Sequence, residues 1–371
     1  ETDFLYTDEA KIDEEQKVSS PFFKPDWSPD YLNSIMYVCH MLVFRKNFLQ
    51  KLGGFRVGFE GAQDWDLVLR ASEKTNQIGH ISDILYYWRI HPNSEAMEGG
   101  STKTYAHKNA RKALTESLER KNEPGIVKTA LNTHQNGFLI DYKIINPGKI
   151  SIIIPFRDKP ILIDKCLYSI SNTILDIEFE IILIDNSSIE QETLRIIEKW
   201  KSFFKNKIFV YKIECEFNYS KIHNKIISLV RGKYLLFLNN DTEIISRDWL
   251  FSMLKYAQKK RIGAVGAKLL YSDNTIQHAG VIMGLGGAAA HAYRMSKTNI
   301  NDYFYRSKVV NNFSCVTAAC MMCKKQDFIK VGGFNEDFSH NYNDVDLCLK
   351  FLEEGLYNVL LQHIKVVHHE S

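Results

Sequence analysis

Three polar turns follow apolar runs in the second half of the chain: Pro155-Phe156-Arg157-Asp158, Asp185-Asn186-Ser187-Ser188 and Asn239-Asn240-Asp241-Thr242. Carboxylates on such turns suit a divalent cation, because Mg²⁺ and Mn²⁺ bridge carboxylate and phosphate oxygens. A glycine-rich turn would instead bring backbone N–H groups up to a diphosphate. The first turn continues into Lys159 with no glycine, and Gly284-Leu285-Gly286-Gly287 does not follow the first strand, so a dinucleotide-binding fingerprint is excluded. A diphosphate bound here has to be held another way, and a divalent metal on a carboxylate is the usual one. Further on, Asp344 and Asp346 open a helical run, and His368-His369 follow an apolar one. Plain structural readings stand beside these. Asn239-Asn240-Asp241 is good turn chemistry, Asp344 can cap the helix over 345–352, and Asn218 and Asn224 can organise theirs. Asp346 lies two residues beyond Asp344 and faces away from it on a helix. His368 can be a solvated side chain.

The elements that would position these turns alternate. Lys149–Pro155 is a β-branched run stopped by proline, and so a buried strand. A helix over 160–172 begins at Pro160, a strand runs over 180–185, and a helix covers 190–203. A third strand spans 207–211. Asn218 caps a helix reaching Arg231, with Gly232 as its stop, and a fourth strand covers 233–238. Asp248 begins another helix, and Gly263–Gly266 leads into the next strand. This alternation predicts a mostly parallel α/β sheet with helices on both faces and ligands beyond the strands' carboxyl ends.

The chain also repeats itself. Residues 41–55, MLVFRKNFLQKLGGF, align without a gap on 320–334, CMMCKKQDFIKVGGF. Each copy then carries an acidic pair, Asp64 and Asp66 or Asp344 and Asp346, and reaches a histidine, His91 or His368. Upstream, Phe4–Glu9 looks like the counterpart of Leu235–Asp241, an apolar strand running into acidic residues. The reading is two related modules: the C-terminal part of a first over 1–95, a helical linker over 96–148, and a complete one over 149–371.

The motifs in order resemble family 2 glycosyltransferases of the GT-A fold. They are Ser151–Pro155, Ile184–Ser188, Phe217–Ser220, Leu238–Thr242, Asp248–Leu250, Gly263–Lys268, Ile276–Gly280, the Gly332-Gly333-Phe334 turn and Asp344–Leu347. The likeness is greatest to bacterial enzymes of surface polysaccharide and O-antigen assembly, with the first module similar to the tail of a tandem member. The resemblance implies an inverting transfer from a UDP- or dTDP-sugar to a growing, lipid-linked glycan. Pro155, Phe156, Arg157, Asp158, Asp185, Asn218 and Asn240 would line the nucleotide site. Asp241 and His368 would hold Mn²⁺ or Mg²⁺, with His369 as the competitor, and Asp344 would be the general base. Asn239 and Asn343 stand where relatives usually carry acids. Asp8, Asp64 and His91 would be the first-module equivalents, in a module expected to be inert because no strands precede Phe4. With Ser371 following His368 so soon, the resemblance implies a fragment of a longer tandem enzyme. Residues 267–320 would shape the acceptor site, with Tyr271, His278, His291 and Tyr293 as candidates. Two other readings remain: a degenerate module that binds a glycan or partner enzyme, and a sugar nucleotidyltransferase, which would need a glycine-rich basic loop after the first strand.

Composition narrows the rest. A chain of 371 residues, 45% hydrophobic and 25% charged, has material for two cores. A net charge of +3 gives no case for nucleic acid as a partner. No apolar run reaches the length of a membrane span, and Glu1-Thr2-Asp3 does not begin a signal peptide. Seven cysteines in that context point to reduced thiols and a cytoplasmic protein, with peripheral attachment at the inner membrane face implied by the family. Cys320 and Cys323 form a C-x-x-C without a second pair, which reads as buried thiols rather than zinc ligands.

Overall fold

The computed structural model of the protein describes residues 2–90, 104–133, 136–173, 177–300 and 302–370. The chain forms two compact units, one of residues 1–143 with 301–311, the other of 144–300 with 312–371.

In the first unit, strand β1 (Phe4–Ile12) runs antiparallel to β2 (Val18–Phe22) and β3 (Leu42–Phe44), and parallel to β4 (Ile78–Arg89). Helices α1 (Pro29–Leu32), α2 (Lys46–Leu52) and α3 (Gln63–Ser72) separate these strands. Helix α4 (Thr104–Arg120) and the hairpin of β5 (Gly125–Thr129) and β6 (Phe138–Tyr142) complete the unit. The linker expected over 96–148 is therefore not a free connector. Ala110, Ala113, Leu114 and Leu118 form a buried stripe on α4, which needs a partner face. Ser117 and Arg120 bind Glu73 just past the end of α3, at 2.8 and 2.6 Å. His91 lies outside the described residues.

The second unit opens with β7 (Ile150–Phe156), α5 (Pro160–Ser171), β8 (Phe179–Asp185), α6 (Gln191–Phe204), β9 (Ile208–Lys212) and α7 (Tyr219–Ile226). It continues through β10 (Tyr234–Leu238), β11 (Thr242–Ile244), α8 (Trp249–Ala257), β12 (Ile262–Leu270) and β13 (Ile276–His278). A hairpin of β14 (Val281–Met283) and β15 (Ala289–His291) and the short β16 (Asn311–Phe313) precede β17 (Cys320–Lys324), α9 (Lys325–Lys330), α10 (Asn343–Glu353) and β18 (Tyr357–His368). The main sheet runs β11-β18-β12-β17-β10-β7-β8-β9. Strands β10, β7, β8 and β9 are parallel, as the alternation predicts, and every residue of β7 and β8 is buried, as a sheet covered on both faces requires. The other half is mixed, because β17 runs antiparallel between β10 and β12. Helix α7 stops at Ile226, five residues before the predicted end, where the chain tightens into turns before β10.

Pairing registers correct the expected match between the modules. In the first unit Tyr6 lies opposite Leu42, and in the second Gly266 lies opposite Met321. The sequence repeat equates Leu42 with Met321, so Tyr6 corresponds to Gly266 and Asp8 to Lys268, not to Asp241. A second pairing agrees: Glu9 faces Phe22 as Leu269 faces His278. Strand β1 is thus the counterpart of β12, and β4 the counterpart of β18. The acidic turn after Leu238 has no equivalent in Asp8-Glu9, which merely share its composition.

Candidate functional site

Asp241 sits on the turn between β10 and β11, and His368 at the end of β18. Antiparallel pairing of Thr242 with His368 brings them together. His368 Nε2 lies 3.1 Å from Asp241 Oδ1, with Asp241 buried to 6% exposure. His368 Nδ1 is 2.7 Å from Gln277 Oε1, which can only accept, so Nδ1 carries a proton and Nε2 is turned toward the carboxylate. Asn239 Nδ2 donates to the same Nε2 at 3.3 Å. His369 faces elsewhere: its ring contacts Ser272 and Glu243, and its N–H donates to the Asp241 carbonyl at 2.9 Å. Of the two histidines, only the ring of His368 faces the Asp241 carboxylate.

A carboxylate oxygen beside an imidazole nitrogen fits a divalent cation. Two neighbouring ligands on an octahedral Mg²⁺, each about 2.1 Å from it, stand about 3 Å apart, which is the Asp241–His368 separation. Among the described residues no group of three or more His, Cys, Asp or Glu could hold a metal ion. The protein would supply two ligands, and phosphate oxygens and water the remainder.

Asp344 lies in the first turn of α10 but does not cap it; Tyr342 holds the cap position. Its Oδ1 accepts from the Val345 N–H at 2.9 Å and its Oδ2 from the Ala318 N–H at 3.1 Å. A half-buried carboxylate with one backbone donor on each oxygen is held in a single orientation. Asp346 pairs with Lys350 at 2.7 Å, the structural role expected of it. Asp64 repeats the local geometry of Asp344 in the first unit, accepting from the Trp65 N–H at 2.8 Å, and burial raises its pKa.

Of the expected nucleotide residues, Pro155, Phe156, Arg157, Asp158 and Asp185 lie at the carboxyl ends of β7 and β8, Asn240 follows β10, and Asn218 stands at the start of α7. Pro155 and Phe156 are buried, whereas Arg157 is exposed. Asp158 clamps two loops: its Oδ1 accepts from the Ile189 and Glu190 N–H groups at 2.8 Å, and its own N–H donates to Ser188 Oγ. Asp185, 7% exposed, accepts from the Ser188 N–H at 2.8 Å. Asn218 caps α7 through Lys221 N–H and gives its Nδ2 to the Glu336 carbonyl, so its amide organises the helix and the 336 loop. Asn240 is half-buried beside Asp241. Gln277 was missed as a site residue, although it stands in the quoted Ile276–Gly280 motif; its role depends on β13 pairing with β12 beside β18. A cavity of about 220 Å³ lined by Lys149, Glu178, Lys207 and Arg231 lies at the opposite, amino-terminal ends of β7–β10, away from this chemistry.

Residues 151–332 match the model of the glycosyl transferase family 2. This region is a family 2 glycosyltransferase domain. The chain is 38% identical over 368 residues to the O-antigen biosynthesis protein RfbC of Myxococcus xanthus, covering 99% of this chain and 28% of that protein. It is 38% identical over 370 residues to the uncharacterized protein y4gI of Sinorhizobium fredii, covering 99% of this chain and 40% of that protein. The chain thus spans less than half the length of these curated relatives. Among solved structures, GalNAc-T7 with UDP, GalNAc and Mn²⁺ superposes with a TM-score of 0.50 at 13% identity, over 60% of this chain and 43% of that one. This likeness gives the family 2 domain its GT-A fold.

Proposed function

We propose that the family 2 domain transfers a sugar, with inversion, from a UDP- or dTDP-sugar to a hydroxyl of a growing cell-surface glycan. The observation that carries this reading is the pairing of Asp241 with His368 at 3.1 Å beyond the sheet, with Asp344 presented separately on α10. Asp344 takes the proton of the acceptor hydroxyl as its oxygen bonds to the anomeric carbon, and the bond to the diphosphate oxygen breaks with its electron pair. A divalent ion on Asp241 and His368 would stabilise that departing charge. Asp158 and Asp185 shape the loops that receive the nucleoside. The UDP and Mn²⁺ named with GalNAc-T7 and the O-antigen role named for RfbC support the donor and product classes. A lipid-linked acceptor and work at the cytoplasmic membrane face follow from the same reading. No helix among the described residues is long and apolar enough to cross a membrane. The first unit, with its Asp64, is read as a related module without catalytic function. A second reading, a domain that binds glycan without transferring sugar, draws on Asn239 and Asn343 at positions where acids are expected.

Calorimetry with UDP, dTDP and GDP, with and without Mn²⁺, on the wild type and on Asp241→Ala tests the proposal. One nucleotide should bind only with metal, and the variant should lose that binding. Absence of nucleotide binding to the wild type would favour the second reading.

A further inference from the structure

The loop 317–319 beside Asp344 carries two adjacent backbone donors. Ala318 N–H is spent on Asp344 Oδ2 at 3.1 Å, and Thr317 N–H points at His278 Nε2 at 3.4 Å. His278, wholly buried at the end of β13, places its Nδ1 2.9 Å from His291 Nδ1. These contacts fix both rings by elimination. A backbone N–H can only donate, so His278 Nε2 is the acceptor and its proton sits on Nδ1. That proton is given to His291 Nδ1, which must then be bare, so the His291 proton sits on Nε2. Burial holds both imidazoles below the usual histidine pKa, which keeps the pair neutral and the assignment intact near neutral pH. The pairing is built by tertiary structure: β13 lies on β12, and the β14–β15 hairpin sets His291 opposite Val281, itself bonded to the Cys315 carbonyl at 3.0 Å. The geometric link to Asp344 is the loop itself, whose neighbouring N–H groups hold His278 and Asp344 side by side. In the first unit the position of His278 belongs to Phe22, which stacks on Phe304 at 4.3 Å.

We propose that His291, locked by His278 as the Nε2–H tautomer, is an acceptor-positioning residue: it donates to a hydroxyl vicinal to the one Asp344 deprotonates. The acceptor class is therefore a vicinal diol, as on a pyranose ring or a polyol chain. This rests on the transferase reading of the same site and adds to it which residue orients the acceptor. A donor on the neighbouring hydroxyl leaves the attacking oxygen's lone pairs free, and paired with an acceptor carboxylate it selects one orientation of the diol. His291 forms no bond to the reacting carbon and moves no proton.

The test uses the full chain with UDP and diamagnetic Mg²⁺. Long-range ¹⁵N NMR of the histidines reads the tautomers directly. Saturation-transfer NMR with methyl hexopyranosides and their monodeoxy analogues reads the acceptor site, in the wild type, His291→Phe and His291→Gln. Expected are an Nδ1–H His278 and an Nε2–H His291, and glycoside binding weakened about five- to tenfold in His291→Phe. His291→Gln, which keeps a donor, should recover part of the loss, and calorimetric UDP affinity should stay unchanged in both. A proton on His291 Nδ1, or glycoside binding in His291→Phe equal to wild type, or no glycoside binding in a wild type that binds UDP, would each overturn the proposal. A wild type that binds no nucleotide fails the transferase reading instead, and the tautomer measurement still decides the histidine pair.

Discussion

At the scale of single residues, the second unit fixes its polar groups by giving each a partner of one possible sense. Gln277 orients His368, Ala318 N–H orients Asp344, and Thr317 N–H orients His278. His223 on α7 follows a different rule. Its Nδ1 donates to the Tyr219 carbonyl at 2.7 Å, while Nε2 is buried with no hydrogen-bond partner, among Tyr219, Phe237 and Phe334. Burial therefore pulls its pKa down from 6.5 to about 4. The folded value lies below the unfolded one, so as pH falls through 6.5 the unfolded chain takes up a proton that the native state refuses. Native stability should drop by about 2 kcal/mol between pH 7.5 and pH 5 on this account alone. Urea titrations at the two pH values should show that extra loss in the wild type and not in His223→Phe. Equal losses would mean that His223 is not held neutral.

At the scale of elements, the position of Asp344 depends on how closely α10 approaches β12. A Cβ at Gly263 would fall 2.6 Å from Phe351 Cβ on α10, and one at Gly266 would fall 2.6 Å from Val316 Cβ. Gly263→Ala should lower stability by about 1–3 kcal/mol, read as a shift of the urea midpoint, and should also slow transfer, because relief requires α10 to move. Much of this frame is legible in the sequence. The β-branched runs, the Pro160 start and the Asn218 cap mark β7, α5 and α7 to within a few residues, because those signals are local. The mixed half of the sheet is not legible, since a short apolar run such as Cys320–Lys324 carries no mark of strand direction. The equation of Asp8 with Asp241 fails for the same reason. An apolar strand ending in acids has one composition and several possible neighbours, and its pairings with Leu42 and Phe22 identify it. His278 and His291, 13 residues apart, meet through a hairpin whose fold no spacing rule reveals.

At the scale of the whole molecule, the two units share a motif but not the residues around it. Asp64 keeps the helix-start geometry of Asp344, yet the charge it feels is that of His40, and the first unit carries a buried Lys24–Glu9 ion pair at 3.1 Å and Phe22 in the place of His278. Asp64→Asn should leave transfer rates at the wild-type level, measured by release of nucleoside diphosphate. Its raised pKa means that stability falls as pH rises through that value, so the neutral amide should also melt higher than wild type at pH 7. A loss of activity in this variant would show that the first unit takes part in the reaction.

The first unit is also discontinuous. Its residues 302–311 leave the polypeptide of the second unit between His291 and the 317–319 loop, and return to it at β16. Phe304 of that segment lies flat on Phe22, and its carbonyl accepts from Tyr31 Oη at 2.9 Å. No single cut can therefore separate the units. Expression of residues 144–371 alone would carry a stranded apolar segment ten residues ahead of Asn312, and a library that shuffles modules at position 143 would tear one fold to free the other. The workable excision replaces 302–311 with a short polar loop, so that each unit keeps every residue of its own fold and the cut follows the chain's path through space instead of its order in sequence.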